Sequence, residues 1–240
     1  METVQELTAE AQKEAATGIQ RGAYLLELSL DWLVLRASEN IHHLLGESHV
    51  TLIDEPLGKF VHAQALHDLR NLFSRLSGTM GIGRAYGVRL TDDPDLVDVA
   101  FHLSNGRVLF EAVPSTGVFG ERFGSVGGLI AGLAESSGDA LLENAARRMR
   151  ALTGYDRVTL CCGSQRVESS RGALGGSSAA DTEVPTMVAD AESSPVALFP
   201  RDDGDSAAGR ALLSACTPES RSKLQASGTR ACLRVPFKGD

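Results

Sequence analysis

Between Leu141 and Leu152 the apolar positions Leu141, Leu142, Ala145, Met149 and Leu152 recur at the spacing of one α-helical face. Asp139 stands where its carboxylate would cap the first turn. Arg147, Arg148 and Arg150 lie toward the end, where cations suit the negative pole of the helix dipole. Gly154 offers a left-handed exit, and the short apolar run Val158 to Cys162 then predicts a buried strand. A helix feeding directly into a strand at this point organises the rest of the chain.

Upstream, Tyr24 to Ala37 reads as two partly alternating strands joined by a turn at Ser29, Leu30 and Asp31. Ser38 is placed as an N-cap for a short helix carrying Ile41, Leu44 and Leu45 and ending at Gly46. A longer amphipathic helix follows, with Ala65, Leu69, Leu72, Phe73 and Leu76 on its apolar side. Residues 84–90 predict a strand, and two alternating runs flank Asn105-Gly106, a dipeptide suited to a tight hairpin turn. Residues 114–138 are rich in glycine and serine, yet Phe123, Val126, Ile130 and Leu133 keep a helical rhythm, which predicts a connecting helix. Residues 163–186 are polar and predict a loop. Short strands are expected within 187–200 and 229–236, with a helix near Ser220 to Ala226. The first 17 residues read as a polar tail.

Composition narrows the classes. At 240 residues the chain suffices for one large or two ordinary domains. A net charge of −8 argues against general binding to nucleic acid or to an anionic membrane. No run approaches the roughly 18 apolar residues of a membrane helix, and the polar N-terminus is no signal peptide. The four cysteines fall in the last third without Cys-x-x-Cys spacing, so a reducing, cytoplasmic setting is expected. Cys161 and Cys162, on a strand, are expected in the core. His42, His43 and His49 lack a third ligand at helical or hairpin spacing, so no metal site is predicted. Every histidine precedes residue 103, away from any cysteine, and no nucleophile–base pair is suggested. His102 reads as a strand-end residue. Gly81-Ile82-Gly83 follows a helix and is no dinucleotide fingerprint. An enzyme is not expected.

Several stretches resemble the phytochromes. GIQRGAYLLEL (18–28), DWLVLRASENIHHLLG (31–46), DEPLGKF (54–60) and NGRVLFEAVPS (105–115) are similar to the PAS domain of bacterial phytochromes. ARRMRALTGYDRV (146–158) resembles the entry to their GAF domain; VADAESSPVALFP (188–200) and LLSACTPESRSKLQASGTRACLRV (212–235) resemble later GAF segments. The resemblance implies an α+β chain: a PAS-like domain at 18–115, a connector at 116–138 and a truncated GAF-like domain at 139–240, with antiparallel sheets flanked by helices. It also implies a sensory module in signal transduction, with biliverdin or another bilin as chromophore.

The departures concern that chromophore. Bacterial members attach biliverdin through an N-terminal cysteine, and residues 1–22 contain none. Plant and cyanobacterial members use a GAF cysteine followed by histidine; those positions match Glu219 and Ser220. The family's aspartate that positions the pyrrole nitrogens corresponds either to Glu183 or to Asp181. This region is shorter than in the family, where it lines the pocket and forms the loop through which the N-terminal segment threads. Cys216 is an alternative attachment point, set against the ordinary role of a buried free cysteine. The expectation is weak or lost bilin binding with no covalent link. The alternative is a light-independent interaction or dimerisation module regulating a phytochrome or sensor kinase. In either case a homodimer or a signalling partner is expected, with Arg147, Arg148 and Arg150 at the interface or on a solvated helix face.

Overall fold

The computed structural model describes residues 18–76, 81–117, 126–128, 131–133, 136–172, 186–201 and 207–236. By packing, the chain divides into two units, one of residues 1–115 with 178–240 and the other of 116–177. The stretch 139–240, expected as one domain, is thus shared between both.

The first unit is built on an antiparallel sheet. Its strands are β1 (Gly18–Ile19), β2 (Tyr24–Leu28), β3 (Val34–Ser38), β4 (Ile82–Val88), β5 (Val97–Ser104), β6 (Arg107–Pro114) and a late arrival, β10 (Val196–Phe199). They lie in the order β1-β10-β3-β2-β6-β5-β4. Asn105 (φ 51°) and Gly106 (φ 71°) make the tight turn of the β5–β6 hairpin, both left-handed as such a turn requires. Between β2 and β3, Trp32 also takes a left-handed φ of 67°. Its ring is held edge-on to Phe73 and Phe101, at 5.9 and 6.5 Å between centroids, so burial of the indole offsets the backbone strain.

Both faces of this sheet are covered around its central strands, which is why β2 reads Leu-Leu-Glu-Leu instead of alternating cleanly. On one face Leu26, Leu28, Val99, Phe101, Val108 and Phe110 pack with short helices α1 (His42–Leu45) and α2 (His49–Leu52) and with α3 (Ala63–Ser74). Leu69 of α3 is fully buried there, as its helical spacing predicts. On the other face Leu25 and Leu109 pack with Ile19, Leu198, Ala207, Ala208 and Leu213. This second layer comes from the chain around β10 and the short α5 (Ala207–Arg210).

β9 (Thr186–Val188) and β11 (Cys232–Arg234) pair antiparallel and close the base of a loop running from 188 to 232. Gly18–Gln20 lies inside this loop's embrace. On one side Gly18 and Ile19 pair with Ala197 and Val196. On the other, Ala215 N–H donates to Gly18 O at 3.1 Å and Gln20 N–H to Leu213 O at 3.0 Å. The Gln20 side chain donates to the carbonyls of Met187 and Ser214 and accepts from Ala189 N–H at 2.7 Å. Residues 187–197 and 213–215 therefore bracket the Gly18–Gln20 segment.

The second unit is α4 (Asp139–Thr153) on the hairpin β7 (Arg157–Cys162) and β8 (Gln165–Ser170). α4 ends at Gly154 with φ 75°, as expected. Gly138, not Asp139, occupies the cap position; Asp139 is the first helical residue. Residues 165–170, expected in a loop, are instead a strand, because Gly163 (φ 58°) permits the turn and Val167 faces Leu160 across the ladder. Cys161 and Cys162, expected in the core, are exposed beside the turn of the hairpin. Ser38 precedes a 3-10 turn without capping it; its Oγ accepts from Leu25 N–H at 3.1 Å. Of the expected connector, Val126 to Gly128 and Ala131 are helical, while Phe123 and Ile130 lie outside the described residues.

Replacing Gln20 with alanine leaves three part-buried backbone groups without this partner. A loss of about 2–4 kcal/mol is expected in urea unfolding, since each orphaned group costs on the order of 1–3 kcal/mol.

Candidate functional site

Of the residues that the phytochrome resemblance singles out, Cys216, Glu219 and Ser220 are among the described residues. Asp181 and Glu183 lie outside the described residues. Glu219 and Ser220 sit in the first turn of α6 (Pro218–Ala226). Thr217 caps this helix, its Oγ1 accepting from Ser220 N–H at 3.2 Å, and Pro218 supplies the preset φ of a first helical residue. Glu219 is exposed and paired with Lys223 one turn on, at 2.6 Å, and that hydrogen bond holds its carboxyl below the usual range. Cys216 is buried with Ala191 and Leu224, beside Val188 and Cys232. Burial raises its thiol pKa, against the lowering influence of Arg221 and Arg234. It is packed as a small apolar residue.

The three arginines of α4 separate. Arg150 donates through Nε to Ser169 Oγ at 3.1 Å, tying the helix to the hairpin. Arg148 lies over Gly132, where a side chain would collide with its guanidinium. Arg147 is exposed and lines a surface depression of about 340 Å³ with Glu143, Arg166, Val167, Glu168 and Ser169. A second depression, about 240 Å³, is lined by Glu192, Gln225, Gly228, Thr229 and Arg230. Neither is lined by Cys216, Glu219 or Ser220. Among the described residues no group of three or more His, Cys, Asp or Glu could hold a metal ion, and no helix is long and apolar enough to cross a membrane.

The densest buried chemistry lies on the second face of the sheet. Glu27 on β2 is 2% exposed and faces three guanidiniums, Arg107 at 3.3 Å, Arg36 at 3.8 Å and Arg210 at 3.8 Å. Arg36 also donates through Nε to the Pro200 carbonyl at 2.9 Å. Glu111 on β6 is equally buried and accepts from Leu212 N–H at 2.9 Å and Leu213 N–H at 2.8 Å, one on each carboxylate oxygen. Burial pushes its pKa up to about 7 although both hydrogen bonds pull it down. His102 on β5 places Nδ1 3.9 Å from Glu111 Oε1. Burial lowers its pKa; a hydrogen bond to the Arg210 backbone opposes this, and the Arg210 charge adds to it. Expected as a strand-end residue, His102 belongs to this buried layer. The signal for the cluster is legible in the sequence: Glu27 and Glu111 interrupt otherwise apolar strands, and their partners come from distant segments.

No protein-family model matches the sequence, and no curated protein matches it either. Among solved structures, the chromophore-binding domain of Stigmatella aurantiaca phytochrome P1 matches with a TM-score of 0.71 at 20% identity, over 92% of this chain and 83% of that one. The chromophore-binding domain of an unusual R. palustris bacteriophytochrome matches with a TM-score of 0.71 at 20% identity, over 95% and 84% of the two chains. A longer structure of an R. palustris bacteriophytochrome matches with a TM-score of 0.73 at 19% identity, and this chain covers 51% of it. The chain has the fold of a bacteriophytochrome chromophore-binding domain, as the PAS and GAF resemblances implied.

Two outcomes follow. Glu27→Gln would leave three guanidiniums around a neutral amide, and a loss of about 3–5 kcal/mol is expected by urea unfolding. With a chromogenic disulfide reagent, Cys161 and Cys162 should react quickly in the native protein and Cys216 only on unfolding, because exposure and the thiolate fraction set the rate.

Proposed function

We propose that this chain is a phytochrome-type sensory module in which covalent attachment of a bilin has been lost. The supporting observation is the extent of the fold match, which spans 92% of the chain and belongs to structures described as chromophore-binding domains. The residues present do not fit covalent attachment at the position the resemblance marks. Glu219 is a carboxylate engaged with Lys223, and Ser220 has neither a thiol nor an imidazole. Cys216 is buried, with its thiol held toward the protonated, unreactive form. Any bilin bound here is held by contacts alone. A module of this kind signals through rearrangement of its own elements and its contacts with a partner.

A second reading, a light-independent dimerisation or interaction module, rests on α4. That helix leaves Leu141 37% and Met149 44% exposed, with Arg147 also at the surface. Exposed apolar side chains on a helix are of the kind that protein interfaces bury.

Co-expression with a biliverdin-producing enzyme tests the first reading. No zinc-induced fluorescence should remain on a denaturing gel, and any red absorption should be lost on desalting in mild denaturant. A fluorescent covalent band overturns it. For the second reading, light scattering should show a dimer that Met149→Glu converts to monomer; a monomeric parent protein removes that reading.

A further inference from the structure

We infer that Glu111 and His102 carry one exchangeable proton between them, and that this proton allows the 207–215 segment to seat against the sheet. The geometry supplies the pair. Glu111 Oε1 and His102 Nδ1 are 3.9 Å apart, and Nδ1 is buried without a hydrogen-bond partner. Both carboxylate oxygens already receive backbone N–H groups from Leu212 and Leu213, so the carboxyl is the point where this segment fastens to β6.

The surrounding charges leave Glu111 without a counterion of its own. From β2, Glu27 faces this layer, and Arg36 of β3, Arg107 of β6 and Arg210 of α5 gather around that carboxylate. Asp98 on β5 accepts from Gly87 N–H at 2.9 Å. Arg84 on β4 stands in register with Ala100, one strand beyond Glu111, and is exposed. Residues 211–215 carry no charge. A bare Glu111 carboxylate is thus buried with two amide donors and a neutral imidazole, which disfavours the charge and favours a proton.

The sign of the coupling follows. When the segment is seated, Glu111 binds a proton up to about pH 7 instead of the ordinary 4.5, and His102 gives up its proton below the ordinary 6.5. When it lifts away, Glu111 ionises and His102 protonates throughout the interval between those ordinary values. At pH above the lowered His102 value and below 6.5, both states then hold about one proton, on different atoms. Seating moves the proton from imidazole to carboxyl, so the attachment changes little with pH in that window. Removing either partner exposes the dependence of the other. Without His102, seating binds a net proton and must weaken as pH rises from about 4.5 to about 7, by up to about tenfold per pH unit. Without Glu111, seating releases the His102 proton and must weaken as pH falls below 6.5.

Amide hydrogen exchange on the full chain tests this, reading protection of Leu212 and Leu213 after correction for the intrinsic rate. His102→Gln should lose protection toward alkaline pH, Glu111→Gln toward acid, and the parent protein should change less than either. The same pH dependence in all three proteins overturns the inference. Should Glu111→Gln fail to fold, carbon NMR of the parent protein decides. The Glu111 carboxyl and the His102 ring should show a shared inflection near pH 7, and a Glu111 inflection in the ordinary carboxylate range with an unresponsive His102 overturns the inference.

Discussion

The central strands of the first unit's sheet are covered on both faces, and most of the structure follows from that constraint. An antiparallel sheet of this length can leave one side wet. Here the side away from α1–α3 is covered by chain that arrives after residue 186, so Leu25, Leu109 and Leu198 find a second core. The covering chain is irregular, and its backbone groups need partners that a helix would supply internally. Those partners are side chains from the sheet itself. Glu111 receives two of its N–H groups, Arg36 donates to Pro200, and Gln20 bonds with Met187, Ala189 and Ser214.

Charged residues inside apolar strands are therefore structural joints. Glu27 gathers arginines from β3, β6 and α5, three elements far apart in sequence. Such a cluster does not by itself argue for high stability, since desolvation offsets much of the attraction. What it supplies is register, because a slip of one residue in β2 would bring Glu27 to the face packed by Phe101 and Phe110. The same layer holds Gly18–Gln20 between two downstream segments, so the N-terminal strand and the late chain depend on each other for their hydrogen bonds.

The residues matched to the chromophore chemistry contrast with this. Glu219 and Ser220 belong to a helix capped by Thr217, and Cys216 fills a small apolar cluster with that helix's Leu224. The buried polar side chains of the sheet join distant parts of the chain, whereas Glu219 and Ser220 bond within their own helical turn and its cap.

Periodicity and turn chemistry determined the local elements. Leu141 to Leu152 with Gly154 specified α4, and Asn105-Gly106 specified its hairpin, because such signals lie within a few residues of one another. They also placed β2, β3 and α3. The strand at 165–170 escaped because one apolar residue, Val167, carries its alternation. Only the tertiary structure decided that β10 would join the first sheet, that His102 would stand against Glu111, and that Cys161 and Cys162 would be left outside. β10 pairs with a strand about 180 residues away, and His102 and Glu111, though close in one hairpin, are buried by the distant 207–213 segment; pairing at that range is selected by complementary buried faces and unsatisfied backbone groups, which no short window of sequence contains.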